Sequence, residues 1–362
     1  MKNVYLTKRE RLLNALHRRE VDRMPWSPLI DGYFINSLPL QNIHMDIIEA
    51  MRFIGNDIME RHVAMPKTIL NNVTIRNEVS SDGKMMRTWY DTPVGSVHED
   101  RQKSGETGFI THHMIETVED IKVYEYIAEH MTFAENIKAF IDRDKFIGDD
   151  GLATPTGPHS PIQELLQELA GVENTVYLMA DYPDEMDELM QVMQDANIRN
   201  YKVLAEYPSD VVFDYEDTSS TVMSRSMYTD YSSPAINDYA KILHDSGKLF
   251  ITHMCGKLTA FKEEIGQGKQ DGIDSICPPD TGDLYIWDAR KAWGTDKLLI
   301  GGIDPPELSR ITPQECEKRV LEIYEKLEDK RGFILSTGDA VPFGTPIENL
   351  ITITRTVEKL IL

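Results

Sequence analysis

Residues 251–257 read ITHMCGK, which sets a histidine and a cysteine two positions apart just before a glycine, in a chain with only three cysteines. The residues leading up to them are apolar, as in a buried strand. Alternate residues of a strand point to the same side, so His253 and Cys255 project together, as two ligands of one ion must. Imidazole, thiolate and carboxylate form a donor set suited to zinc, and a catalytic zinc keeps one coordination position open. Other strand ends carry groups of the same kind: Tyr215, Glu216 and Asp217, then Cys277, then Asp339. The expected metal set is Glu216, His253, Cys255 and Cys277, with Asp217 and Asp339 as alternatives for completing it. The competing reading is a core histidine beside small buried thiols, Cys277 lying between Ile276 and Pro278. Cys316 falls on a charged helix and is expected to be inert, and His112 and His113 fall in a β-strand away from these ends. Trp26, Tyr33, Phe34 and Tyr215 cluster near the same mouth and could enclose a ring.

These groups need a scaffold that brings strand ends together. Thr7 and Glu10 form a capping box opening a helix with Leu12, Ala15 and Leu16 on one face. An extended segment follows at 24–30, then a helix at 44–54 stopped by Gly55. Alternation at 73–79 and 84–90 around a Ser-Asp-Gly turn predicts a β-hairpin, with a third strand at 108–115. From about 145 onward strands and helices alternate: strands at 151–154, 210–216, 248–253, 272–276, 297–300 and 333–336, and helices at 161–170 and 185–205. Such βα repetition implies a parallel sheet, and this many units favour a (β/α)8 TIM barrel. The expectation is an α/β chain folded as one barrel domain over 1–362, with a small antiparallel β insertion at about 68–115. A doubly wound sheet is the second choice, disfavoured because no Gly-x-Gly-x-x-Gly follows the first strand.

With 41% apolar and 27% charged residues, the 362-residue composition is that of a soluble globular protein. No apolar run approaches the ~20 residues that span a bilayer, and the N-terminal stretch has no apolar signal core. Three scattered cysteines do not make a disulfide framework, so a reducing cytoplasmic setting is expected. The formal charge of −22 repels phosphate backbones and anionic membranes, which argues against nucleic-acid or membrane partners.

The stretch LLNALHRREVDRMP at 12–25 resembles the opening of the uroporphyrinogen decarboxylase superfamily. GGIDP at 301–305, FILSTGD at 333–339 and GTPIENL at 344–350 resemble its last third. The resemblance implies a (β/α)8 barrel and a homodimer. The decarboxylases of that superfamily carry Arg-Gln-Ala-Gly-Arg after the first strand to clamp the acidic side chains of a porphyrinogen. Here the corresponding 27–33 is SPLIDGY, without arginine. The other branch comprises corrinoid-dependent methyltransferases, whose zinc motif is His-x-Cys with a later cysteine after the last strand. His253 and Cys255 match the first two positions, and Asp339 stands at the third, where the members that methylate coenzyme M have cysteine. Carboxylate ligands would be similar to those of the O-demethylase methyltransferases.

A carboxylate in place of a thiolate gives a harder, more Lewis-acidic zinc, better at polarising an oxygen than at activating a thiol. This points to demethylation of a methoxylated aromatic compound, which expels a phenolate whose conjugate acid has a pKa of about 10. The methyl group would pass to the cob(I)alamin of a separate corrinoid-binding protein, since the chain has no Asp-x-His-x-x-Gly corrinoid signature. In that scheme Asp339 and Tyr215 are expected to be catalytic, and Trp26, Asp31, Tyr33 and Phe34 to bind the small-molecule donor. The alternatives are methyl transfer from a corrinoid to a thiol, a porphyrinogen decarboxylase, and a non-catalytic barrel that only binds.

Overall fold

The computed structural model describes residues 5–38, 46–104 and 107–361. Its centre is a five-stranded parallel sheet of Val211–Glu216, Leu249–Met254, Gly272–Ile276, Leu298–Ile303 and Phe333–Thr337, neighbouring one another in chain order. Strands of this kind must be covered on both faces, and all five are almost wholly buried. Pairing continues beyond both edges. On one side Phe213 bridges Thr156, just after the strand Gly151–Ala153, which pairs in parallel with Ile58–Glu60. On the other, Leu335 bridges Trp26, whose carbonyl accepts a bond of 2.8 Å from Asp57 N–H at the start of that same Ile58–Glu60 strand.

Side-chain alternation sorts the sheet into two faces. Val211, Phe213, Ile251, Leu298, Ile300 and Ile334 form one apolar cluster together with Leu12, Ala15 and Leu16 of the N-terminal helix Lys8–Leu16. The residues between them, such as Val212, Phe250, Ile273, Leu299 and Leu335, pack against the outer helices. The N-terminal helix therefore caps the inner face at the amino ends of the strands. Its predicted capping box is present, with Thr7 Oγ accepting from Glu10 N–H and Glu10 accepting from Thr7 N–H. Arg11 and Arg23 both pair with the fully buried carboxylate of Asp57, which also accepts the backbone N–H of Trp26.

The predicted strands agree with the observed ones to within about three residues. The helix expected at 44–54 spans Ile47–Ile54, its first two residues lying outside the described ones. The helix expected at 161–170 is α-helical over Pro161–Glu164 and widens to a π turn over Leu165–Leu169. The antiparallel region differs more. It has four strands, Thr74–Val79, Met85–Thr92, Gly95–Ser104 and Thr107–His112, paired in that order. A separate short pair, Lys67–Leu70 with Met131–Ala134, lies beside it in sequence. The strand Gly95–Ser104 was hidden because only Val97 and Asp100 along it are buried. Among the described residues no helix is long and apolar enough to cross a membrane.

Candidate active site

The inner-face alternation that places Val211, Phe213 and Ile251 in the core continues upward. It carries Tyr215 and Asp217 inward from one strand and His253 and Cys255 inward from the next. His253 is buried, and its Nδ1 lies 2.9 Å from Oδ2 of Asp274. A bulge between Ile273 and Ile276, with Ser275 at φ 74°, re-aims this stretch and leaves Asp274 facing His253. The other oxygen of Asp274 receives Arg61 Nη2 at 3.0 Å. Arg61, Asp274 and His253 thus form a buried chain in which the carboxylate orients the imidazole. Arg61 and the hydrogen bond from His253 hold the Asp274 carboxyl below its ordinary pKa, against the opposing effect of burial.

Cys255 is half-buried and directs its Sγ to Oδ1 of Asp217 at 3.5 Å. Burial pushes the thiol above its ordinary pKa, and the carboxylates of Asp217 and Asp339 push it further. Gly256 makes this position possible. Its φ is +93°, and a Cβ there would lie 2.6 Å from that of Ser219, so the chain can turn immediately after the cysteine.

Tyr215 is stacked between two imidazoles, His62 at 4.1 Å and His253 at 4.4 Å between ring centroids. Both of its faces are covered, so it does not stack on a ligand ring. Burial raises its phenol above the ordinary value, which keeps it a neutral hydrogen-bond donor. His62 is pushed the other way, from 6.5 to about 4, by desolvation and then by the neighbouring His253, Arg61 and His159. NMR titration is expected to show His62 neutral until the pH approaches about 4. Between 6.5 and 4 the unfolded chain binds a proton that the folded one does not, so this contribution to stability is complete above 6.5 and lost as the pH falls through that window. His62→Phe should flatten that part of the pH–stability curve, and an unchanged curve would refute the assignment.

A cleft of about 350 Å³ opens beside these groups, lined by Asp31, Arg61, His62, Tyr215 and Asp339 among others. The expected substrate residues divide around it. Asp31 lines the cleft, its Oδ1 accepting the N–H of Phe34 at the start of the helix Gly32–Ser37. Tyr33 is exposed and contacts Phe343 at 5.0 Å. Trp26 and Phe34 are fully buried in the outer apolar cluster and do not line the cleft, which corrects their expected role.

The expected metal residues divide as well. Glu216, between the inward Tyr215 and Asp217, faces the helix layer. There it accepts Ser160 N–H at 2.5 Å, Ser160 Oγ at 2.7 Å and Ser232 Oγ at 3.0 Å. Its carboxylate is fully occupied on the far side of the strand from His253 and Cys255. Cys277 is buried, with Sγ 3.6 Å from Asp304 Oδ1, and is covered by Gly338, where a Cβ would stand 2.6 Å from that sulfur. Cys316 is buried in the helix Pro313–Lys326. Asp217 takes the place expected for Glu216.

The donor types facing inward suit zinc. Two ligands of a tetrahedral zinc at ordinary Zn–S and Zn–O lengths stand roughly 3.5 Å apart, as Cys255 Sγ and Asp217 Oδ1 do. A ligating histidine usually gives its other ring nitrogen to a carboxylate, as His253 gives Nδ1 to Asp274. As they stand, no group of three or more His, Cys, Asp or Glu side chains among the described residues is arranged to hold an ion. Cys255 and Asp217 thus offer donor types and a separation that suit zinc, and His253 stands on the same inner face.

Arg61 and Asp274 were not anticipated. A charged residue inside the apolar strand 272–276 was a usable signal for Asp274, whereas Arg61 follows a strand of only three residues that composition does not reveal.

The architecture has a counterpart among solved structures. The methyltransferase from Methanosarcina mazei superposes with a TM-score of 0.62 at 15% identity, over 98% of this chain and 99% of that one. D-psicose 3-epimerase from Clostridium cellulolyticum H10 superposes at 0.35 with 13% identity, over 61% of this chain and 76% of that one. No curated protein matches the sequence. The family model for uroporphyrinogen decarboxylase (URO-D) matches residues 154–360, more than half of the chain and the whole run of strands that carries Tyr215, His253, Cys255, Asp274 and Asp339. On that match the chain belongs to the uroporphyrinogen decarboxylase (URO-D) family.

Proposed function

We propose that the protein is a zinc-dependent methyltransferase that moves a methyl group from a methoxylated aromatic compound to the cob(I)alamin of a separate corrinoid protein. We further propose that its strands close into a (β/α)8 barrel, a reading supported by the Trp26–Leu335 and Thr156–Phe213 bridges. The observation that carries the functional reading is the inward pair His253–Cys255, oriented by Asp274 and flanked by Asp217 beside a small-molecule-sized cleft. Its volume is near the lower end of the ~300–1,000 Å³ typical of ligand pockets. A porphyrinogen is disfavoured, because the single cleft arginine cannot balance the many carboxylates of that macrocycle.

His253, Cys255 and Asp217 would hold the zinc, which when bound supplies a Lewis acid that polarises the ether oxygen. The chain's own residues do the rest. Asp274 fixes the imidazole, and the apolar walls at Leu29, Ile30 and Met59 exclude water from the cleft. Asp339 lines the same wall and would relay a proton from solvent to the phenolate as it leaves. In the reaction the methyl–oxygen bond breaks, the oxygen keeps the electron pair and gains a proton, and the methyl group is accepted by cob(I).

Purified protein should be incubated with cob(I)alamin and a panel of methoxyarenes, and in parallel with methylcobalamin and a thiol. Methylation of cobalamin by an arene, together with zinc in elemental analysis, is the expected result. Transfer only to the thiol would replace this reading by the thiol-methylating one. Carbon dioxide release from a porphyrinogen by metal-free protein would replace both.

A further inference from the structure

Arg61 is the most incompletely matched buried group at the cleft. Its side chain is 1% exposed, and of its three nitrogens only Nη2 has a partner, the carboxylate of Asp274. Nε and Nη1 have no hydrogen-bond partner among the described residues, and neither does the nearby hydroxyl of Tyr215. Arg61 and Tyr215 both line the cleft. Leaving buried N–H and O–H donors unmatched costs about 1–3 kcal/mol each, more for a charged group, so such clusters are characteristically matched by something that enters. The unmatched guanidinium nitrogens can only donate, and the phenol hydroxyl beside them is able to donate as well.

We infer that Arg61 and the Tyr215 hydroxyl form an anion subsite that selects methyl donors bearing a carboxylate. The occupant is an anionic acceptor with an apolar body, because Leu29, Ile30, Ile47, Met51 and Met59 line much of the cleft, while Asp31, Glu60 and Asp339 leave Arg61 as the part of the wall that would attract an anion. A carboxylate offers the guanidinium a full opposite charge and two acceptor oxygens in bidentate geometry, which a neutral amide does not, and that is the source of selection. This subsite follows the second strand in the chain, not the first, so the missing arginines at 27–33 do not bear on it. It also shares Asp274 with His253, so the carboxylate end of the donor is anchored one residue away from the proposed metal pair. The identity of the transferred group rests on the methyltransferase reading, whereas the charge of the anchored group does not.

The test is calorimetric titration of the full chain, without corrinoid, with 4-methoxybenzoate and its neutral counterpart 4-methoxybenzamide. The acid is expected to bind at least about tenfold more tightly. Arg61→Lys keeps a cation for Asp274 but loses the fork geometry. It should reduce that preference to within about threefold, chiefly by weakening binding of the acid. Equal binding of acid and amide to the unsubstituted protein, or binding of neither, overturns the inference whether or not Arg61→Lys folds. Acid-selective binding without any methyl transfer to cob(I)alamin would leave the subsite standing and reject the proposed reaction.

Discussion

Cys255→Ala is expected to lower methyl transfer by on the order of 10³-fold while the protein stays folded. Loss of a partner that only orients a ligand costs about 10–100-fold, and loss of a ligand itself costs more. The structural consequence should be small, because Cys255 is half-buried at a strand end and its one side-chain contact is the carboxylate of Asp217. Changes at such positions stay within about 1 kcal/mol. Zinc content should fall in parallel with turnover. Asp274→Asn, which keeps the shape but weakens the orientation of His253, should fall in the 10–100-fold range. A Cys255→Ala protein with full zinc and full turnover would end the metal reading, and a collapse in melting temperature would show that the thiol is structural.

Asp57→Ala is expected to have the largest effect on stability, a loss of about 3–5 kcal/mol. Asp57 is fully buried and receives Arg11 Nη1 at 2.8 Å, Arg23 Nη1 at 2.8 Å, and the N–H of Trp26 at 2.9 Å. Removing it strands two nearly buried guanidinium groups, of which Arg11 keeps Asp22 and Arg23 keeps only the carbonyl of Met24 at 3.0 Å. Total stabilities of about 5–15 kcal/mol leave little reserve against such a loss. Replacing Arg23 and Asp57 together, with Arg23→Met and Asp57→Leu, should be less damaging than the single change, because Arg11 keeps Asp22 and no uncompensated charge remains. Urea denaturation of the two variants gives the comparison. A single variant within about 1 kcal/mol of the parent would show that the cluster contributes little.

The scaffold was legible in the sequence wherever strands were long and apolar. The five strands from 211 to 337 and the capping box at Thr7 declare themselves through apolar runs and a local hydrogen-bonding pattern. His253 and Cys255 followed from the two-residue repeat of a strand. The same repeat, applied one strand earlier, would have sent Tyr215 and Asp217 inward and Glu216 outward, and Glu216 was misplaced because a strand-end carboxylate was read by type without its parity. Trp26 and Phe34 were read as mouth aromatics from their position after a strand, but burial depends on the helices packed over them, which no local pattern records. Arg61 and Asp274 escaped for a related reason. Each acquires its meaning from a partner 213 positions away, and sequence spacing carries no information about such a pair.

On the proposed reading, the helix that seals the inner face from below leaves the cleft end as the way in among the described residues. Leu12, Ala15 and Leu16 pack at the end opposite the cleft, so the proposed small donor and the proposed cobalt-carrying protein would share one entrance. The larger of the two, once seated, would shut the smaller out. Turnover by the proposed reaction would then be ordered, donor first, and an excess of the corrinoid carrier would slow it in a way that added donor relieves.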